Sequence, residues 1–158
     1  MKITISTEEL IYNIKSKSHT EVARIADPEQ KYIAEAGTDK LDEIRRCALE
    51  GKAEMESLIF RFLAPETASD KTIENTDVSL GNTFEFEFVG TPRRYTGKAT
   101  AIRDQVFALL TNLAMAKFYI SVNQIALSNA RRSLANDALA MLERLLYTKR
   151  TPIADTTA

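Results

Sequence analysis

The chain has 158 residues, 44% of them hydrophobic and 27% charged, with 21 Lys plus Arg against 22 Asp plus Glu for a net charge of −1. A domain of this length buries about 70% of its unfolded surface and needs no metal or disulfide staple. The charge balance excludes a protein that wraps nucleic acid with its whole surface, although a local basic patch stays open.

One cysteine, Cys47, rules out an intrachain disulfide. No run approaches the roughly 20 apolar residues that cross a bilayer. Met1-Lys2-Ile3-Thr4-Ile5 lacks the apolar stretch of a secretory signal. A reducing cytoplasm is the expected place of synthesis, and no membrane partner is expected.

In chain order, Ser6-Thr7-Glu8-Glu9 spells a capping box, predicting a short helix with Leu10, Ile11 and Ile14 inward. Lys15-Ser16-Lys17-Ser18-His19 interrupts that pattern and predicts a loop, with a further helical turn or two over 20–26. Asp27-Pro28 is a restart signal, Asp as N-cap and Pro at the first helical position, and Gly37 ends that segment. Thr38 or Asp39 then caps a long helix. Its Leu41, Ile44, Ala48, Gly51, Met55, Leu58 and Phe62 recur at spacings of three and four, opposite Lys40, Glu43, Arg46, Glu50 and Glu54. Ala64-Pro65 stops it.

Helical periodicity vanishes from 66 to 98. Val78-Ser79-Leu80, Gly81-Asn82 and Thr83-Phe84-Glu85-Phe86-Glu87-Phe88-Val89 have the spelling of a hairpin with a two-residue turn. Gly90-Thr91-Pro92 predicts a further turn and Arg93-Arg94-Tyr95-Thr96 a third short strand. Helix resumes near Ala99 with a broad stripe of Ile102, Val106, Leu109, Leu110, Leu113, Ala114, Lys117 and Ile120, flanked by Phe107 and Phe118, as expected of a central helix. Ser128-Asn129 offers a cap for a last helix lined by Leu134, Ala138, Met141, Leu142 and Leu145. The predicted architecture is mainly α, a helical bundle with a small β-hairpin insert. It forms a single helical domain over 1–150, carrying the insert at 66–98, followed by a flexible tail over 151–158.

Chemistry is sparse. His19 is the only histidine and lies in a polar stretch, and Cys47 has the setting of a core residue rather than a nucleophile. Glu50 and Glu54 share a helix face, but no Glu-x-x-His motif accompanies them, and the five glycines form no phosphate-binding loop. No catalytic residue, cofactor or metal is expected. Three arginine pairs remain: Arg45-Arg46 at the edge of an amphipathic helix, Arg131-Arg132 in the first turn of the last helix, and Arg93-Arg94 beside Tyr95. Phe84, Phe86 and Phe88 fall on one face of their strand and Glu85 and Glu87 on the other. That stripe either packs on the chain's own helices or adds to a neighbouring subunit. The candidate subunit interface is therefore Phe84, Phe86, Phe88, Val89, Arg93, Arg94 and Tyr95.

The segments Ser6-Thr7-Glu8-Glu9-Leu10, Ala48-Leu49-Glu50-Gly51-Lys52-Ala53-Glu54-Met55-Glu56-Ser57-Leu58-Ile59 and Arg132-Ser133-Leu134-Ala135-Asn136-Asp137-Ala138-Leu139-Ala140-Met141-Leu142-Glu143, in this order of elements, resemble small tailed-phage proteins. The group is the head–tail connector or head-completion family, particularly the Mu-like prophage type. The resemblance implies a non-enzymatic virion component of a phage or bacterial prophage, made in the host cytoplasm. It would assemble as a homo-oligomeric ring between portal and tail. The competing expectation is a helical nucleic-acid-binding or regulatory protein that uses the exposed arginine pairs.

Overall fold

The computed structural model describes residues 1–65, 81–90 and 92–147. Val78, Ser79 and Leu80, expected as one hairpin arm, and the 151–158 tail lie outside them. Among the described residues the chain is mainly α, with five helices and a small two-stranded antiparallel sheet.

Strand β1 (Lys2–Ser6) leads directly into α1 (Thr7–Val22), where the Ser6 hydroxyl accepts the Glu9 amide at 3.3 Å as the capping box predicts. The loop expected at 15–19 is helix instead. Ile14, Ser18 and Val22 continue the inward face at spacings of four, and the buried Ser18 hydroxyl accepts the Ala36 amide at 2.9 Å. A polar residue thus keeps the helical stripe because a partner satisfies it.

Asp27 caps α2 (Pro28–Ala34) through the Glu29 amide at 3.0 Å. The other end of α2 is closed by Lys40, whose Nζ donates to the carbonyls of Tyr32, Ile33 and Glu35 at 2.6, 2.8 and 2.8 Å. Neither Thr38 nor Asp39 caps the next helix. They lie in a 3-10 turn, Thr38–Lys40, and the Asp39 carboxylate accepts the Tyr32 phenol at 2.6 Å.

Helix α3 (Leu41–Leu58) buries Ile44, Cys47, Ala48, Gly51 and Met55 and ends before a 3-10 turn, Phe60–Phe62. Helix α4 (Ala99–Ser121) is central, with every residue from Leu109 to Ala116 buried. Gly51 explains how closely α3 meets it. A Cβ built there lies 3.1 Å from the Ala114 backbone nitrogen and 3.4 Å from its Cα, which leaves no room for a branched side chain. Gly51→Val should lower stability by about 1–3 kcal/mol through overpacking, read as a lower denaturation midpoint at unchanged slope.

The Phe strand, β2 (Thr83–Glu87), pairs with β1, in the register Ile3↔Phe86 and Ile5↔Phe84. Ile3 and Ile5 extend the same apolar face as Phe84, Phe86 and Phe88, while Lys2 and Glu85 pair at 3.1 Å on the other. Beyond β2, Phe88 and Val89 bond on both sides: the Phe88 amide to Met1 and the Val89 amide to Phe62, at 2.7 and 2.9 Å. The third strand expected at 93–96 is instead a 3-10 turn, Pro92–Tyr95. Its Tyr95 ring turns inward, and the phenol donates to the Val89 carbonyl.

Helix α5 (Ile125–Tyr147) starts three residues before the expected cap. It packs on α4 through Ser128, Arg131, Ala135, Ala138, Leu142 and Leu146. Ser128 does not cap it: its hydroxyl donates to the Ala116 carbonyl at 2.8 Å. Leu134 and Met141, expected inside, are on its outer side.

Candidate assembly surface

The structure divides the expected interface in two. Phe84, Phe86 and Phe88 are core residues: Phe86 is 0% exposed, and the stripe joins one buried cluster with residues of α1, α3 and α4. Lys52 of α3 completes the cover, its ammonium 5.4 Å from the Phe84 ring and 6.0 Å from the Phe86 ring. Tyr95 is buried as well. These four residues therefore do not form a subunit surface on this folded chain. Val89 and Arg94 do reach the surface, and the side chain of Arg93 lies outside the described residues.

Near Val89 lie exposed apolar groups of two kinds: Phe60 and Tyr147, which periodicity did not single out, and Leu58, which it placed on the inward stripe. Phe60 is 64% exposed, and Leu58 and Tyr147 are exposed too. Tyr147 packs edge-to-face on Phe62 with ring centroids 4.8 Å apart, and Arg61 lies over both rings while pairing with Glu143 at 3.2 Å. Arg94 donates to the Leu146 carbonyl at 2.7 Å, tying the 3-10 turn to the end of α5. The end of the bundle joined by the Val89–Phe62, Phe62–Tyr147 and Arg94–Leu146 contacts exposes Val89 and Tyr147, and Leu58 and Phe60 are exposed on the segment that leads into it. The sequence signal for this patch was Phe60, an aromatic that falls off the stripe running from Leu41 to Phe62.

The arginine pairs are largely occupied within the chain. Arg131 is 7% exposed and bound to Glu21 of α1, with Nη1 donating to Asn112 Oδ1 of α4 at 2.8 Å. Burial lowers its pKa from the ordinary value. Arg132 pairs with Glu54 of α3, which also receives Lys117 of α4 at 2.8 Å. Arg45 pairs with Asp42 at 3.4 Å. Burial by itself raises the Glu54 carboxyl, but hydrogen bonds and charge from Arg132 and Lys117 outweigh it and hold the group below the usual carboxylate range.

The folded-state pKa of Glu54 is thus below the unfolded one. Its stabilisation is complete above the unfolded value and fades as pH falls through the folded value. Glu54→Gln should therefore lose stability at neutral pH and show a shallower further loss than wild type below about pH 4.5, measured by thermal melts across pH.

Cys47 is buried, and its thiol is pushed up to about 12 by burial first and then by Glu50 and Glu43, the opposite of an activated nucleophile. His19 is exposed and bonds Glu35 at 2.6 Å. Among the described residues no group of three or more His, Cys, Asp or Glu is placed to hold a metal ion, and no helix is long and apolar enough to cross a membrane.

No family model matches the chain, and comparison with curated proteins and with solved structures finds no significant match.

Proposed function

We propose that the protein is a non-enzymatic assembly component of a tailed phage or prophage, a head–tail connector or adaptor. Its subunits associate as a ring between portal and tail. The observation that carries this reading is the exposed end patch of Leu58, Phe60, Val89 and Tyr147 on a body whose own aromatic stripe is already covered. Exposed aromatics beside anchored arginines are the residue types enriched where proteins meet. A patch that meets a different surface on the next copy is the geometry from which rings close. The resemblance of the α1, α3 and α5 segments to connector proteins supplies the biological setting.

The nucleic-acid alternative has less support, since Arg131 is enclosed and Arg94, Arg132 and Arg45 hold partners within the chain.

Electron microscopy of the purified protein, alone and with the portal protein encoded by the same genome, tests the reading. Rings are expected in at least one condition, and Phe60→Lys should abolish them while circular dichroism stays unchanged. Absence of rings in both conditions, or rings indifferent to Phe60→Lys, contradicts it. Salt-dependent DNA binding without assembly would favour the alternative.

A further inference from the structure

Helix α5 carries a second surface, separate from the end patch and independent of the ring reading. Its inner side is spent on α4, yet Leu134 is 47% and Met141 43% exposed, seven residues apart and so on the same side of the helix. The partly buried Leu127 and Leu145 continue that line in both directions. Beside it stand exposed Ala130, Asp137 and Arg144.

The order of charges indicates what covers this side. Asp137 and Arg144 are also seven residues apart, on the same flank of the apolar line. A parallel copy of the helix, related by an axis along the helices, would set each flank against the opposite flank and bring Asp137 and Arg144 to no common edge. An antiparallel copy, with its two-fold axis beside Ala140 and Met141, sets Asp137 of each copy alongside Arg144 of the other. It also brings Leu134 to within one turn of Leu145 of the second copy and sets Met141, beside the axis, against its own counterpart. The face contains its own complement, and the two-fold axis makes each ion pair occur twice. Arg144 also interacts within its own chain, and the five donors of a guanidinium allow it to serve a further carboxylate.

We propose that α5 is a two-fold homodimer surface, joined by an antiparallel α5–α5 contact and selected by reciprocal Asp137–Arg144 pairing. The overlap over 134–147 spans about 20 Å of helix, less than obligate dimers use. The dimer is therefore a reversible one, with a dissociation constant of about micromolar order.

Sedimentation equilibrium between about 0.05 μM and about 100 μM, a range that brackets such a constant, tests it. Wild type should pass from monomer to dimer. Asp137→Arg and Arg144→Asp should each weaken the dimer about tenfold or more by placing like charges together twice. The double variant should recover to within about threefold of wild type, because the pairing is restored with its signs exchanged. Circular dichroism and melting must match across the set. Phe60→Lys should leave this dimer intact, which separates failure of the pair from failure of the ring reading. A monomer throughout the range, single reversals without effect, or a double variant as weak as the singles would overturn the proposal.

Discussion

Phe86→Glu should eliminate the cooperative thermal transition and leave a chain with weakened helical circular dichroism. Phe86 is fully enclosed between β1, α1 and Lys52 of α3. Losing a buried ring forfeits about 3–5 kcal/mol, and an unpaired carboxylate in its place adds several kcal/mol more. The sum rivals the total stability of about 5–15 kcal/mol typical of a domain. Val89→Glu, one residue past the stripe and partly exposed, is the matched control and should fold. A Phe86→Glu protein that melts normally but fails to associate would mean that the stripe faces a neighbour and not the chain's own helices.

The second large effect belongs to Arg131. Arg131→Ala strands the Glu21 carboxylate and the Asn112 carbonyl oxygen in a region where neither meets bulk water freely. Removing one partner of a buried ion pair costs about 3–5 kcal/mol, mostly because the other charge stays behind. The double variant Glu21→Gln/Arg131→Met, which removes both charges at similar volume, should recover most of that loss. Chemical denaturation of the two single variants and the double variant measures the coupling. If Arg131→Ala unfolds at the wild-type midpoint, the pair contributes nothing to holding α1 against α5.

How far these features could be read in advance depended on the range of the interaction. Local chemistry was legible: the Ser6 cap, Asp27-Pro28 and most of the apolar stripes of α3 and α4 fall where their spacing puts them, and the mainly α class follows, but Leu58 and Ile120, expected on those stripes near the helix C-termini, are exposed. Interactions between distant segments were not. The alternation in 84–88 tells which face of a strand is apolar, but the partner strand is Lys2–Ser6, at the far end of the chain, and only the folded topology brings Ile3 opposite Phe86.

The same limit explains the two misplaced polar residues. Ser18 looked like a loop residue because its partner, the Ala36 amide, is on another element. Arg131 looked like surface charge because Glu21 and Asn112 come from α1 and α4. For α5 the error ran the other way: Leu134 and Met141 have core chemistry but sit outside, since Ala135, Ala138 and Leu142 already fill the contact with α4. Within the candidate interface, Val89 and Arg94 reach the surface while Phe84, Phe86, Phe88 and Tyr95 are enclosed. Phe60 and Tyr147 came into view only when the fold set them beside Val89.

Amide hydrogen exchange on the protein held dilute enough to be monomeric is the most direct check that this chain completes its own core and keeps other surfaces for its companions. The amides of Ile3, Ile5, Phe84 and Phe86 should then exchange as slowly as those of Leu109–Ala116 in α4, through global unfolding alone. If they exchange quickly in the monomer and slow only on association, the aromatic strand is an intersubunit element and one chain does not close its own core.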